Sequence, residues 1–116
     1  MIYIIDDDVL MAKCITKACR NQPVRIFTNA IEAMAAISGG ELPELIFLDI
    51  LLDGPDGLTF LNELESYSDT SQIPVVIITS LNLKHHDLSA YGVVGVLSKE
   101  TMQPSEVREY VQQYAH

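Results

Sequence analysis

Four apolar runs in this chain end on groups able to do chemistry. Ile2-Tyr3-Ile4-Ile5 leads into Asp6-Asp7-Asp8, and Leu45-Ile46-Phe47-Leu48 leads into Asp49. Ile73 to Ile78 finishes on Thr79-Ser80, and Val93 to Leu97 on Ser98-Lys99. An Asp at the carboxyl end of a parallel strand lies where open α/β sheets bind ligands. Should the strands order 2-1-3-4-5, Asp6, Asp7, Asp49, Thr79 and Lys99 line one sheet edge, with the switch point between strands one and three. Carboxylates crowded there repel, and like charges at contact distance cannot all stay ionised without compensation. Mg²⁺ answers that need, because it takes oxygen ligands and retains waters and substrate phosphate.

The elements that must position these groups alternate along the chain. After the strand Ile2–Ile5, a helix is predicted from about Asp8 to Arg20, with Met11, Ile15, Ala18 and Cys19 as its apolar stripe. Asn21-Gln22-Pro23 breaks it, and Val24–Phe27, carrying Arg25, reads as an edge strand. Thr28 or Asn29 can cap a second helix that turns Ala30, Ala33, Met34 and Ile37 inward and stops at Gly39-Gly40. The Asp49 strand runs into a turn-rich loop, Asp53-Gly54-Pro55-Asp56-Gly57, and then a helix from about Leu58 to Tyr67 that buries Leu61 and Leu64. Pro74 is tolerable only near the start of the fourth strand. Residues 81–91 are weakly periodic and predict a short fourth helix. Pro104 opens the last helix, with Val107, Tyr110, Val111 and Tyr114 on one face. Strand and helix alternate five times, which calls for an α/β fold: a three-layer, doubly wound, five-stranded parallel sheet, flavodoxin-like, of order 2-1-3-4-5. Residues 1–116 are expected to form one domain.

Bulk properties narrow the function. The 116 residues are 48% apolar and 20% charged, which suits a globular core. A net charge of −9 opposes direct binding to nucleic acid or an anionic membrane. The first residues meet acid too soon for a signal peptide, and no apolar run has the length of a span, so a cytoplasmic location is expected. Cys14 and Cys19 match no metal or redox spacing and read as reduced core thiols.

The chain resembles the receiver domain of two-component response regulators. The resemblance rests on Ile4-Ile5-Asp6-Asp7-Asp8, on Phe47-Leu48-Asp49-Ile50-Leu51-Leu52 with Gly54 and Asp56-Gly57, on Ile77-Ile78-Thr79-Ser80, and on Gly95-Val96-Leu97-Ser98-Lys99. Each motif alone is weak; all four in order on a five-fold βα pattern are specific. The resemblance implies that Asp49 accepts a phosphoryl group from a histidine kinase or phosphotransfer protein. It implies that Asp7, Asp49 and the backbone carbonyl of Leu51 bind Mg²⁺ directly, with Asp6 acting through a bound water. Thr79 would hydrogen-bond the phosphoryl oxygens and Lys99 would pair with them. In-line phosphoryl transfer agrees independently, since it needs positioning and charge neutralisation more than covalent help. Such a domain catalyses its own phosphorylation and dephosphorylation without turning over an external metabolite. Its signal would pass, around the fourth helix, fifth strand and last helix, to a protein target or to an output domain that this sequence lacks. A homodimer is compatible.

Departures from the family pattern bear on output. Val96 stands where an aromatic residue is usual, Glu100 where a Pro follows the Lys across a cis bond, and Asp53 at another frequent Pro. A cis bond before Glu100 would cost ~2.5–4 kcal/mol, so either that strain is borne or the loop is rebuilt. Leu51 and Leu81, two positions after Asp49 and Thr79, cannot orient an attacking water, which predicts a long-lived aspartyl phosphate.

Plainer readings compete. Asp6, Asp7 and Asp8 could be a helix N-terminal acid cluster, and Asp53 and Asp56 turn formers. Thr79 and Lys99 in isolation would be an ordinary strand-end hydroxyl and a surface charge. His85 and His86 read as solvent-facing, Tyr110 and Tyr114 as core or interface residues, and Arg108 as exposed. A pseudo-receiver, binding protein without phosphorylation, is the second functional reading. A Mg²⁺-dependent phosphohydrolase is the third, and the missing Asp-x-Asp after the nucleophile strand weighs against it.

Overall fold

A computed structural model of the chain describes residues 1–50, 57–80 and 91–115. In chain order the elements are β1 (Ile2–Ile5), α1 (Val9–Cys19), β2 (Val24–Phe27), α2 (Ala30–Ser38), β3 (Leu45–Asp49), α3 (Gly57–Glu65), β4 (Val75–Thr79), β5 (Val93–Ser98) and α4 (Pro104–Tyr114). The strands form one parallel sheet of order β2-β1-β3-β4-β5. Of the helix expected over 81–91, residues 81–90 lie outside the described residues.

Strands covered on both faces lose the in-out polarity of half-buried ones, and β1, β3 and β4 are buried at every position. Their side chains still alternate. Ile2 and Ile4 join Leu45, Phe47, Val76 and Ile78 beneath α1 and α4, while Tyr3 and Ile5 join Ile46, Leu48, Val75 and Ile77 beneath α2 and α3. A doubly wound, three-layer architecture follows.

The helices carry the stripes their periodicity predicts, with adjustments. On α1, Ala12, Ile15, Ala18 and Cys19 are buried, and Met11 packs at the margin. Cys14 is exposed, a correction to its reading as a core thiol. Five helical positions turn through ~140°, so two cysteines at that spacing cannot share one inward stripe. Asn29 caps α2, its side chain accepting from the Glu32 N–H at 2.9 Å. Met34 is only partly buried, and α3 stops at Glu65 while burying Phe60 beside Leu61 and Leu64. Pro74 immediately precedes β4, where its carbonyl accepts from the Ile46 N–H at 3.0 Å and no donor is required of it. Before α4, the Gln103 N–H donates to Glu106 Oε1 at 2.8 Å. Among the described residues no helix is long and apolar enough to cross a membrane.

Candidate functional site

The β1–β3 pairing brings the acids together. Ile5 stands opposite Leu48, so Asp6 and Asp49 emerge side by side at the carboxyl edge of the sheet. Asp6, Asp7 and Asp49 each offer an oxygen, and these atoms lie within 4.8 Å of one another. Asp6 and Asp49 are buried, at 1% and 4% exposure, whereas Asp7 faces solvent. Asp8 takes a different job. Its Oδ1 accepts from the N–H groups of Leu10 and Met11 at 3.1 and 3.2 Å, capping α1. The helix-terminus reading of the acid run therefore holds for Asp8.

Lys99 reaches the cluster from the far side of the sheet. Its Nζ stands 3.0 Å from Asp49 Oδ2 and 3.4 Å from either oxygen of Asp6. The turn after β5 aims it: the Met102 N–H closes on the Ser98 carbonyl at 2.9 Å, and the Ser98 hydroxyl donates to Glu100 Oε2 at 2.9 Å. The Lys99–Glu100 peptide is trans, so the loop is rebuilt around that side-chain bond where the family would have Pro. Thr79 ends β4, fully buried and opposite Ser98 in register. Leu51, Asp53, Asp56, Leu81, His85 and His86 fall outside the described residues.

The electrostatics of the cluster are unbalanced. Burial pushes the Asp6 carboxyl up to about 6, and the neighbouring Asp49 charge adds to this. The Asp8 N–H, which donates to Asp6 Oδ1 at 2.8 Å, and Lys99 oppose the rise. Burial alone would lower the Lys99 ammonium, but its hydrogen bond to Asp49 and the charges of Asp6 and Asp49 outweigh it and raise the pKa. Asp6 Oδ2 is buried and accepts no hydrogen bond from any described residue; its 3.4 Å approach to Lys99 is an ion pair without hydrogen-bond geometry. A buried carboxylate oxygen without a donor is costly unless something else satisfies it. Three carboxylates against one ammonium, all donors hard oxygens, fit a small divalent cation of the Mg²⁺ class.

Two glycines permit close approaches, one beside the site and one in the middle of β5, and neither role follows from periodicity. A Cβ on Gly57 would stand 2.7 Å from the Ile50 Cα, and the Gly57 N–H donates to the Ile50 carbonyl at 3.2 Å. Gly57, the glycine of the Asp-Gly pair that marks this turn in the sequence, is thus what lets α3 start against the backbone just after Asp49. On β5, a Cβ on Gly95 would fall 1.9 Å from the Tyr110 hydroxyl. Val96 packs partly buried against the other face of the sheet, so the aromatic ring lying on β5 comes from α4. A glycine inside a strand marks such close approaches, and it was the one available signal.

The sequence matches the response regulator receiver domain family over residues 2–112. It is 30% identical over 108 residues to a protein-glutamate methylesterase/protein-glutamine glutaminase of Pseudomonas savastanoi pv. phaseolicola, covering 86% of this chain and 29% of that protein. It is 40% identical over 47 residues to the response regulator PleD of Caulobacter vibrioides, covering 40% of this chain and 10% of PleD. The aligned part is thus a small share of these curated relatives. A response regulator structure from Chloroflexus aurantiacus superposes with a TM-score of 0.85 at 25% identity, covering 97% of this chain and 93% of that one.

Proposed function

The chain belongs to the response regulator receiver domain family of two-component systems, and on that premise we propose that Asp49 is its phosphoacceptor. The observation that carries this reading is the Lys99 ammonium at 3.0 Å from Asp49 Oδ2, inside a cluster of three carboxylates. An Asp49 oxygen attacks phosphorus and the P–N bond to the donor histidine breaks; with the other ring nitrogen of that phosphohistidine already protonated, the bonding pair leaves on a neutral imidazole. Lys99 then transfers its pairing from the carboxylate to a phosphoryl oxygen, and Thr79 donates its hydroxyl to another. Mg²⁺, held by Asp7, Asp49 and the Leu51 carbonyl with Asp6 acting through water, would neutralise the charge that accumulates as the donor approaches.

Magnitudes assign Lys99 and Thr79 a joint task. An ammonium–phosphoryl pair at ~4 Å contributes about 4 kcal/mol at an effective dielectric of 20. Only the difference between two conformations counts, and moving a population from 1:99 to 99:1 takes roughly 5.5 kcal/mol. A charge-assisted hydrogen bond from Thr79, about 1.5–3 kcal/mol, makes up the shortfall. The switched state signals to a protein target or to an output domain elsewhere in a longer protein, and pairing of two copies is compatible. A cytoplasmic location, a sensor histidine kinase or phosphotransfer protein as donor, and Leu51 and Leu81 as apolar shields of a long-lived phosphate complete the proposal.

The test is treatment with acetyl phosphate and Mg²⁺ followed by intact-mass measurement. A gain of one phosphate that Asp49→Asn abolishes is expected. No gain would favour the phosphorylation-independent interaction module, to which Val96 and Glu100 lend their weight. Catalytic consumption of the donor would point to a hydrolase. Rapid phosphate loss that Leu51→Asn leaves unchanged would remove the shielding role.

A further inference from the structure

At the opposite end of α1 from the acid cluster, a cavity of about 230 Å³ opens between the end of that helix and the middle of α4. Eleven residues of helix put it roughly 16 Å from Asp8. Its floor includes Ala18 and Val111, and its polar lining includes Arg20, Arg108, Gln22 and Gln112. Carboxylates outnumber Lys and Arg by 16 to 7 in this chain, yet among the described residues neither guanidinium makes an ion pair or side-chain hydrogen bond. On α4 the positions three and four away from Arg108 are Pro104, Ser105, Val111 and Gln112, none of them acidic.

The simplest account is that Arg20 complements the negative end of the α1 dipole, where cations are favoured. That account covers Arg20 and leaves Arg108, six residues before the end of its own helix, without a reason. It also leaves the backbone at position 20 unexplained. Arg20 has φ 57° and ψ −118°, a positive-φ conformation suited to glycine. A side chain kept where its backbone is strained is a mark of function when the side chain has something to hold.

We propose that this cavity binds a phosphate monoester dianion, separately from the phosphoacceptor site. Two guanidiniums offer planar forks that match phosphate oxygens and balance its two charges. Gln22 and Gln112 can serve a remaining oxygen or hydroxyl, and Ala18 and Val111 accept a short carbon stem. The volume is below the range of drug-sized ligand pockets, so the ligand is a small one.

The test is ¹⁵N NMR titration of the whole chain, without divalent cation, using glycerol 3-phosphate, inorganic phosphate and malonate. Saturable shifts confined to the backbone of residues 18–22 and the side-chain amides of Gln22 and Gln112 are expected with both phosphates, and at least tenfold weaker binding with malonate. Arg108→Gln should weaken phosphate binding at least tenfold. Arg20→Gly should do the same while unfolding no more easily than wild type, because glycine suits that backbone. Shifts centred on Thr79 and Lys99 alone, equal binding of malonate, or undiminished binding in both variants would each overturn the proposal.

Discussion

The backbone N–H of Lys99 donates to the carbonyl of Thr79 at 2.9 Å, so the cation and the hydroxyl of the site are joined across two neighbouring strands. The peptides that carry the two side chains are thus hydrogen-bonded to each other. Their proposed tasks differ all the same: Lys99 touches Asp49 before any phosphate arrives, and Thr79 acts on the product.

Thr79→Ala is expected to leave Asp49 phosphorylation nearly intact while reducing the conformational response. Loss of a charge-assisted hydrogen bond of about 2 kcal/mol lowers the ratio of switched to unswitched molecules by more than tenfold. Intact mass reports the first quantity, and phosphate-induced NMR shifts along β5 and α4 report the second. Equal shifts in wild type and variant would refute the assignment.

Lys99→Met should slow phosphorylation and strengthen Mg²⁺ binding. The ammonium lies within 3.4 Å of both buried carboxylates and competes with any cation for them. Relief of a modest part of that interaction, about 1.4 kcal/mol, is a tenfold gain in affinity. Calorimetric titration with Mg²⁺ measures it. Weaker Mg²⁺ binding in the variant would mean that Lys99 organises the site and does not compete for it.

Gly95→Ala forces the Tyr110 ring off β5, since the new methyl would overlap the hydroxyl at 1.9 Å and the ring at 2.4 Å. The atoms met are the far end of a partly exposed side chain that can swing aside, so the loss is expected at the low end of the ~1–3 kcal/mol typical of overpacking, with the melting temperature lower by about 4 °C per kcal/mol. Tyr110→Ala should recover much of the loss in the double variant. Additive effects in that thermal-melt cycle would show that the two positions do not meet in solution.

The pH dependence of stability should turn downward above pH 10 because of Tyr3. Burial first, then the hydrogen bond to Glu41 and its charge, pushes the Tyr3 hydroxyl from 10.0 up to about 12. The unfolded chain loses this proton near pH 10 while the folded one keeps it. The contribution is thus whole below pH 10 and lost as pH rises toward 12, at about 1.4 kcal/mol per unit. Urea unfolding across that window should show a shallower slope in Tyr3→Phe than in wild type, the remainder coming from Cys19, Lys99 and Tyr110, whose pKa values the fold also raises.

The alternation of apolar runs with amphipathic stretches made the doubly wound sheet legible, because a short continuous apolar run and a period of 3.6 are local properties of a chain. Asp49, Thr79 and Lys99 were legible as strand-end groups for the same reason, and the observed order β2-β1-β3-β4-β5 puts their strand ends on one edge. Glycine and proline punctuation marked most element ends, including Gly39 after α2 and Pro104 opening α4.

What periodicity does not encode is which atoms meet. Asp7 and Asp8 are chemically identical neighbours, yet one joins the acid cluster and the other caps α1, a division made by where the backbone turns. The approach of Lys99 to Asp6 spans 93 positions, and Glu100 replaced an expected proline through a bond to Ser98 that no motif foretold. The residue types and their place at strand ends were settled by the linear order of the chain. The distances that turn carboxylates and an ammonium into a site came from strand register and from packing, where each contact depends on elements far away along the backbone.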